Sequence, residues 1–303
     1  MKLSITKIIV FTALMAIFGA TLYALEPHEK VTELNGMRTT ITIKGDEQTA
    51  VMNGPIDLNH EGTILKADKG IINFHRDPDS NQIEMKSVVF EGSVKYSDRN
   101  GYSGNCGKAF YDFPGDEAKF SNGVKLSGND MQLKGSNIEY GQAKQEFYAH
   151  KMVQYQGVTH HMPLLISGEN DSDVQFSIST DDISIKKLEG KAQATGGVEF
   201  KTLDTTITCR DVDLLFADNE IVNIKASGGV KYKDPDMTAI ADNAVYDKKS
   251  MTLTLSVDKG SKDVNVVFRG QEIKGREVIV NLADGREITL GGGRVNIVPR
   301  RIK

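Results

Sequence analysis

The residues best suited to chemistry in this chain are few, and their spacing does little with them. His160-His161 is the one adjacent histidine pair, and His28, His60, His75 and His150 have no cysteine or carboxylate at ligand spacing. Asp77, Asp79 and Asn81 begin like a calcium loop. Gln82, however, stands where the sixth-position turn requires glycine, and no glutamate follows at the twelfth position, so a hairpin turn is the better reading. Asp181-Asp182 has no partner motif and reads as a turn. There is no Gly-x-Ser-x-Gly elbow, phosphate loop or dinucleotide fingerprint. No catalytic residue, metal-ligand set or cofactor site is therefore assigned, and an enzyme is not expected.

What repeats instead is a glycine followed by alternating β-branched and large apolar residues. The copies are Gly92-Ser93-Val94-Lys95-Tyr96, Gly123-Val124-Lys125-Leu126, Gly197-Val198-Glu199-Phe200, Gly229-Val230-Lys231-Tyr232 and Gly293-Arg294-Val295-Asn296-Ile297. Their glycines are 31 residues apart (92 to 123), 32 apart (197 to 229) and 64 apart (229 to 293), with degenerate copies near Gly157-Val158 and Gly260 to Val266. A fixed period in this range marks one supersecondary unit that buries its apolar face by stacking on its neighbours. Seventeen to nineteen residues after the glycine comes an aromatic near the end of a second strand: Tyr111, Tyr140, Phe216 and Tyr246.

The elements that position these residues are strands. Met251, Leu253, Leu255 and Val257 alternate with Thr252, Thr254, Ser256 and Asp258, and Val264-Val266-Phe268 and Val278-Val280-Leu282 repeat the pattern. Such alternation describes a sheet with one buried and one solvated face. Turns are expected at 77–81, 98–101, 233–236 and 283–285. The repeat glycines are expected at bulges where a strand crosses from one sheet to another. The period falters between Gly157 and Gly197, which places a boundary near residue 165 between a first block, 26–165, and a second, 166–303.

Composition narrows the function classes. The 303 residues carry a net charge of −4, which argues against a nucleic-acid partner. Two cysteines cannot staple a fold, and Cys106 and Cys209, about three repeats apart, would be separated by roughly 14–28 Å at sheet spacing. Isolated thiols packed in strands are expected. At the N-terminus, Lys2 and Lys7 precede an apolar run from Ile8 to Leu25, the form of a secretory signal spanning residues 1–25. Cleavage after Ala24 is favoured. A retained inner-membrane anchor stays open, because 18 helical residues would span about 27 Å of a ~30 Å hydrocarbon core.

The strand Gly228-Gly229-Val230-Lys231-Tyr232 with Thr238-Ala239-Ile240-Ala241-Asp242-Asn243-Ala244-Val245-Tyr246-Asp247 resembles the OstA-like family. These are the LptA/LptC-like periplasmic bridge and anchor proteins of lipopolysaccharide transport. Thr206-Ile207-Thr208-Cys209-Arg210-Asp211-Val212-Asp213-Leu214-Leu215-Phe216 is similar to it as well. The second block resembles the bridge protein. The first block, with Leu65-Lys66-Ala67-Asp68-Lys69-Gly70, resembles the anchor.

The resemblance implies an all-β fold of two antiparallel sheets in an open, V-shaped β-jellyroll. It implies a periplasmic location and lipopolysaccharide or lipooligosaccharide as cargo. The implied partners are an inner-membrane ABC transporter, an outer-membrane LptD-like translocon and, head to tail, further copies. The lipid-groove candidates are Val198, Phe200, Val230, Tyr232, Leu253, Leu255, Val257, Val264, Val266 and Phe268, although for any one of them closed core is the favoured reading and lipid contact the alternative. Val295 and Ile297, in the last strand, are the candidate edge contacts with a partner. The competing reading is a non-lipid structural β-solenoid or adhesin of the cell envelope.

Overall fold

The structure, a computed structural model, describes residues 22–25, 31–36, 38–44, 47–76, 83–160, 173–218, 220–282 and 287–296. The leader up to residue 21, the turns expected at 77–81 and 283–285, the boundary near 165 and Ile297 lie outside the described residues. Leu22–Leu25, at the end of the apolar run, forms a strand paired antiparallel with residues 31–34.

The chain divides into two compact units, residues 1–129 with 134–143 and residues 130–133 with 144–303. The first carries β1 (Leu22–Leu25), β2 (Val31–Asn35), β3 (Arg38–Lys44), β4 (Glu47–His60), β5 (Thr63–Arg76), β6 (Ile83–Ser97), β7 (Ser103–Asp112) and β8 (Glu117–Ser127), together with most of β9 (Met131–Gly141). The second carries β10 (Glu146–His160), β11 (Asp173–Lys186), β12 (Lys191–Lys201), β13 (Thr206–Ala217), β14 (Glu220–Lys233), β15 (Met237–Asp247), β16 (Thr252–Ser256), β17 (Val264–Phe268), β18 (Gln271–Asn281) and β19 (Ile288–Asn296). One 3-10 turn, Lys187–Glu189, is the single helical element among the described residues. The fold is all-β, as the alternation required.

Strands of up to 15 residues are too long for one face of a small sandwich, and they are not straight. In the first unit the ladder runs antiparallel from β4 to β8, and its register shifts in mid-strand at each pair. The C-terminal halves of β4, β6 and β8 pair with the N-terminal halves of β5 and β7, and the remaining halves pair likewise. Each strand therefore contributes to two layers. That the layers face each other is shown by Tyr96, in the second half of β6, packing edge-to-face on Phe120 in the first half of β8, 4.9 Å between centroids. His60 at the end of β4 meets Phe113, just past β7, in the same manner at 4.8 Å.

The second unit repeats this plan from β10 to β15, with register shifts in mid-strand at each pair from β10 to β15. Phe176 in the first half of β11 reaches Phe216 in the second half of β13, 6.4 Å away across the layers. Further along, β16 and β17 together occupy the place of one strand. β16 pairs with the second half of β15, β17 pairs with its first half, and β18 closes over both.

The bends explain the glycines. At three of the bulges a polar side chain of one strand lies across a bare Cα of its neighbour. A Cβ on Gly92 would meet the Asp68 carboxylate at 2.7 Å, one on Gly196 would meet Asp181 at 2.8 Å, and one on Gly228 would meet Arg210 at 2.6 Å. Two expectations are corrected here. Gly157 is not a bulge but an inward position under Phe176, and the bend of β10 falls at Lys151-Met152, which adopt φ of 62° and 53° without glycine. Asp181-Asp182 is not a turn between strands but lies within β11, facing the bulge of β12 at Gly196-Gly197. The fifth copy at Gly293 shows no register shift, since β19 pairs with β18 in one continuous register from Asn296 to Ile288.

Gly228 and Gly229 are a matched pair, with φ of 84° and 80°, but only the first is crowded; nothing lies within 4 Å of a Cβ on Gly229. Gly229→Ala should cost about 1 kcal/mol of left-handed strain. Gly228→Ala should cost about 2–4 kcal/mol, because Arg210 must also move. Urea-unfolding midpoints of the two variants would check the order.

Candidate functional site

The feature built by every repeat is the inner face. Of the groove candidates, Val198 and Phe200 on β12, Val230 and Tyr232 on β14, Leu253 and Leu255 on β16, and Val264 and Val266 on β17 are at most 2% exposed. Alternation places them there. Lys231 and Thr252, their chain neighbours, point to the opposite face and are more accessible. Val257, just past the end of β16, and Phe268, the last residue of β17, are half-buried. The Arg269 guanidinium lies over the Phe268 ring, 5.0 Å from its centroid. Val295 lies on β19 opposite Ile273.

The inner face of the second unit carries a run of aromatic rings. Phe176 stacks on Phe200 at 5.5 Å and 22°, and Tyr155 tilts against Phe176 at 5.6 Å. Burying such side chains contributes roughly 1.5–3 kcal/mol each.

Apart from Thr180, buried at the bend of β11 and donating to Thr195 O, the buried polar groups gather towards the rims, where a device recurs that the sequence reading missed. Tyr232 donates its hydroxyl to Asp234 Oδ2 at 2.7 Å, and Asp234 Oδ1 accepts from the backbone N–H groups of Asp236 and Met237 at 2.8 and 2.7 Å. In the first unit Tyr96 donates to Asp98 Oδ2 at 3.0 Å, and Asp98 Oδ1 accepts from Asn100 and Tyr102 N–H, both at 2.9 Å. One carboxylate thus ends a strand, shapes the turn and anchors the last inward tyrosine. In the Phe200 copy, where the ring has no hydroxyl, Thr202 Oγ1 takes the turn-capping place and accepts from Thr205 N–H. An aspartate two residues beyond a repeat tyrosine was the available signal.

Burial, reinforced by the adjacent Asp98 carboxylate, raises the Tyr96 hydroxyl far above its ordinary range. Burial likewise raises the Tyr111 and Tyr140 hydroxyls. All three are neutral donors in ordinary solution.

The residues with chemical potential are dispersed. His150 Nδ1 lies 2.8 Å from Asp182 Oδ1, an exposed pair across β10 and β11 beside the bulges. Among the described residues no group of three or more histidine, cysteine, aspartate or glutamate side chains is placed to hold a metal ion. Cys106 and Cys209 are free and buried, and occupy equivalent places opposite Val94 and Val198. Each thiol donates to a carbonyl two residues on, Lys108 O at 3.2 Å and Asp211 O at 3.3 Å.

No protein-family model matches the chain, and no curated protein matches its sequence. Among solved structures it is similar to the crystal structure of LptH from Pseudomonas aeruginosa, described as the LptA-homologous periplasmic component of the conserved lipopolysaccharide transport device. The similarity has 16% identity and a TM-score of 0.36, and covers 41% of this chain and 94% of that one.

Burial pushes both thiols up to about 11. A disulfide reagent at pH 8 should therefore label neither in the folded protein and both in denaturant. Because the folded value is raised, the associated stability is fully present below the ordinary thiol range and is lost as pH rises to about 11. A Cys106→Ala, Cys209→Ala double variant should show a flatter decline in melting temperature over that interval.

Proposed function

We propose that this chain is a periplasmic carrier that shelters the acyl chains of lipopolysaccharide or lipooligosaccharide between its two layers. In this role it would bridge inner and outer membrane during lipid export. The observation that carries the reading is the inner face, which is predominantly apolar from repeat to repeat, with most buried hydroxyls and carboxylates held at the rims. An acyl chain gains about 0.8 kcal/mol per methylene on leaving water, so a lipid with several chains crosses an aqueous compartment only if it is covered. A face of this kind supplies the cover if the layers part. The basic and apolar leader and the OstA-like strand motifs support the same location and cargo. Blocks 26–165 and 166–303 correspond in this reading to anchor-like and bridge-like parts. The partners are an inner-membrane ABC transporter, an LptD-like translocon and further copies of the chain.

A second reading, a non-lipid structural array, is favoured by one observation: eight of the ten groove candidates are at most 2% exposed, as a sealed core requires. Mass spectrometry of gently purified protein separates the two, since a sealed array carries no lipid.

Photo-crosslinking amino acids at Val230, Leu253 and Val266 should capture lipopolysaccharide in cells, and the same groups at Lys231 and Thr252 should not. Equal labelling of both faces, or none, sinks the carrier reading. At the other end of the second unit, β19 pairs with β18 and with no other described strand. Unpaired N–H and C=O groups recruit a further strand. Asn296→Pro should weaken association with a partner of the same build while leaving the melting temperature nearly unchanged; full assembly and export in that variant would remove the bridging role of this edge.

A further inference from the structure

The rims of the two units contain one turn built twice. After β7, Phe113 N–H bonds to Lys86 O, Asp116 N–H to Phe113 O, and Gln142 N–H to Asp116 O. After β15, Lys248 N–H bonds to Val222 O, Met251 N–H to Lys248 O, and Leu282 N–H to Met251 O. Asp112 and Asp247 each accept from the backbone N–H three residues on, at Gly115 and Ser250, both at 2.9 Å. Asp116 and Met251 share a left-handed φ, 49° and 54°. Tyr111 and Tyr246 therefore hold equivalent positions, each next to last in its strand and each buried.

Their hydroxyls fare differently. Tyr111 donates to Asp116 Oδ1 at 2.6 Å, with Gln142 Oε1 at 3.3 Å. The residues equivalent to those two acceptors are Met251 and Leu282, and the Tyr246 hydroxyl, although buried, has no hydrogen-bond partner among the described residues. A buried donor left unpaired costs about 1–3 kcal/mol. Both acceptors have been exchanged for apolar residues while the donor is kept, in a setting where Tyr246 pairs across to Ile224 and Leu253. Phenylalanine would fill the same space at no polar cost, so the hydroxyl has a use that the protein alone does not satisfy.

We infer that Tyr246 is a ligand-binding residue at the rim of the second unit, donating its hydroxyl to the ester or amide carbonyl at the head of an acyl chain whose hydrocarbon lies along the inner face. This rests on the lipid-carrier reading and adds the point at which the lipid is held. Burial, with the Asp247 and Glu220 carboxylates nearby, raises the phenol and keeps it a neutral donor. The first unit, whose tyrosine is already tied to Asp116, lacks this function.

The test compares a short-chain diester phosphatidylglycerol with its diether analogue, equal in chain length and headgroup but lacking the carbonyls, by titration calorimetry on the full chain. The parent should bind the ester roughly five- to tenfold more tightly, the value of one hydrogen bond. Tyr246→Phe should bring the ratio to about one. Met251→Asp, which gives the hydroxyl a partner, should also abolish the preference and raise the melting temperature. Tyr111→Phe should leave the ratio as in the parent. Equal affinities in the parent, or a preference that survives Tyr246→Phe, overturn the inference while leaving the carrier reading intact. If neither lipid binds the parent, this inference fails, and the carrier reading is decided separately by the lipopolysaccharide crosslinking.

Discussion

A strand that serves two layers has to bend, and the bend must be made without leaving its backbone unpaired inside the protein. The bulge meets this constraint. It adds a residue to one strand, turns the chain and allows the ladder to resume on the other side. At three of these bends the added residue lies on a strand whose glycine takes a left-handed φ, and a side chain of the facing strand occupies the space that a Cβ there would need. Asp68 over Gly92, Asp181 over Gly196 and Arg210 over Gly228 are three solutions of the same steric problem. The pairing of both layers, and hence the inner face between them, depends on it.

How much of this the sequence disclosed follows from which part of the problem a residue type records. Alternation made the inward set legible, because period-2 patterning is a direct consequence of the pleat: eight of the ten groove candidates point inward. Val257 and Phe268 continue the same alternation at the ends of β16 and β17, where burial is only partial. The glycine copies at 92, 123, 197 and 229 marked bends, each with positive φ. Gly157 misled because it is required for a different reason, clearance for the Phe176 ring. The true bend beside it is made by Lys151 and Met152, which carry no sign of their backbone conformation. Likewise Asp181-Asp182 misled because two adjacent carboxylates resemble a turn, whereas here they are exposed positions within β11 that face a neighbour's bulge.

The rims were the least legible part. The tyrosine-to-aspartate bond at Tyr96 and Tyr232 joins residues only two apart. Its meaning nevertheless depends on the aspartate also holding the turn, and that becomes visible only when the backbone donors are located. The exchange of Asp116 and Gln142 for Met251 and Leu282 was beyond sequence reading altogether, since it involves residues 26 and 31 positions apart within each unit, aligned only by a shared turn. The two units thus share one turn architecture and differ in its polarity at a single rim.

The bulges have a further consequence for how such a chain finds its register. A ladder of similar strands, each apolar on alternate residues, offers many nearly equivalent pairings during folding, and a slip of two residues would keep every side chain on its proper face. Alternation therefore does not forbid such errors. The bulges do: a slipped strand sets Asp68, Asp181 or Arg210 against a neighbour that has a Cβ and leaves the glycine opposite an ordinary pleat. Each bend thus works as a key cut into an otherwise uniform rail, correcting the alignment of its pair before the next strand is added.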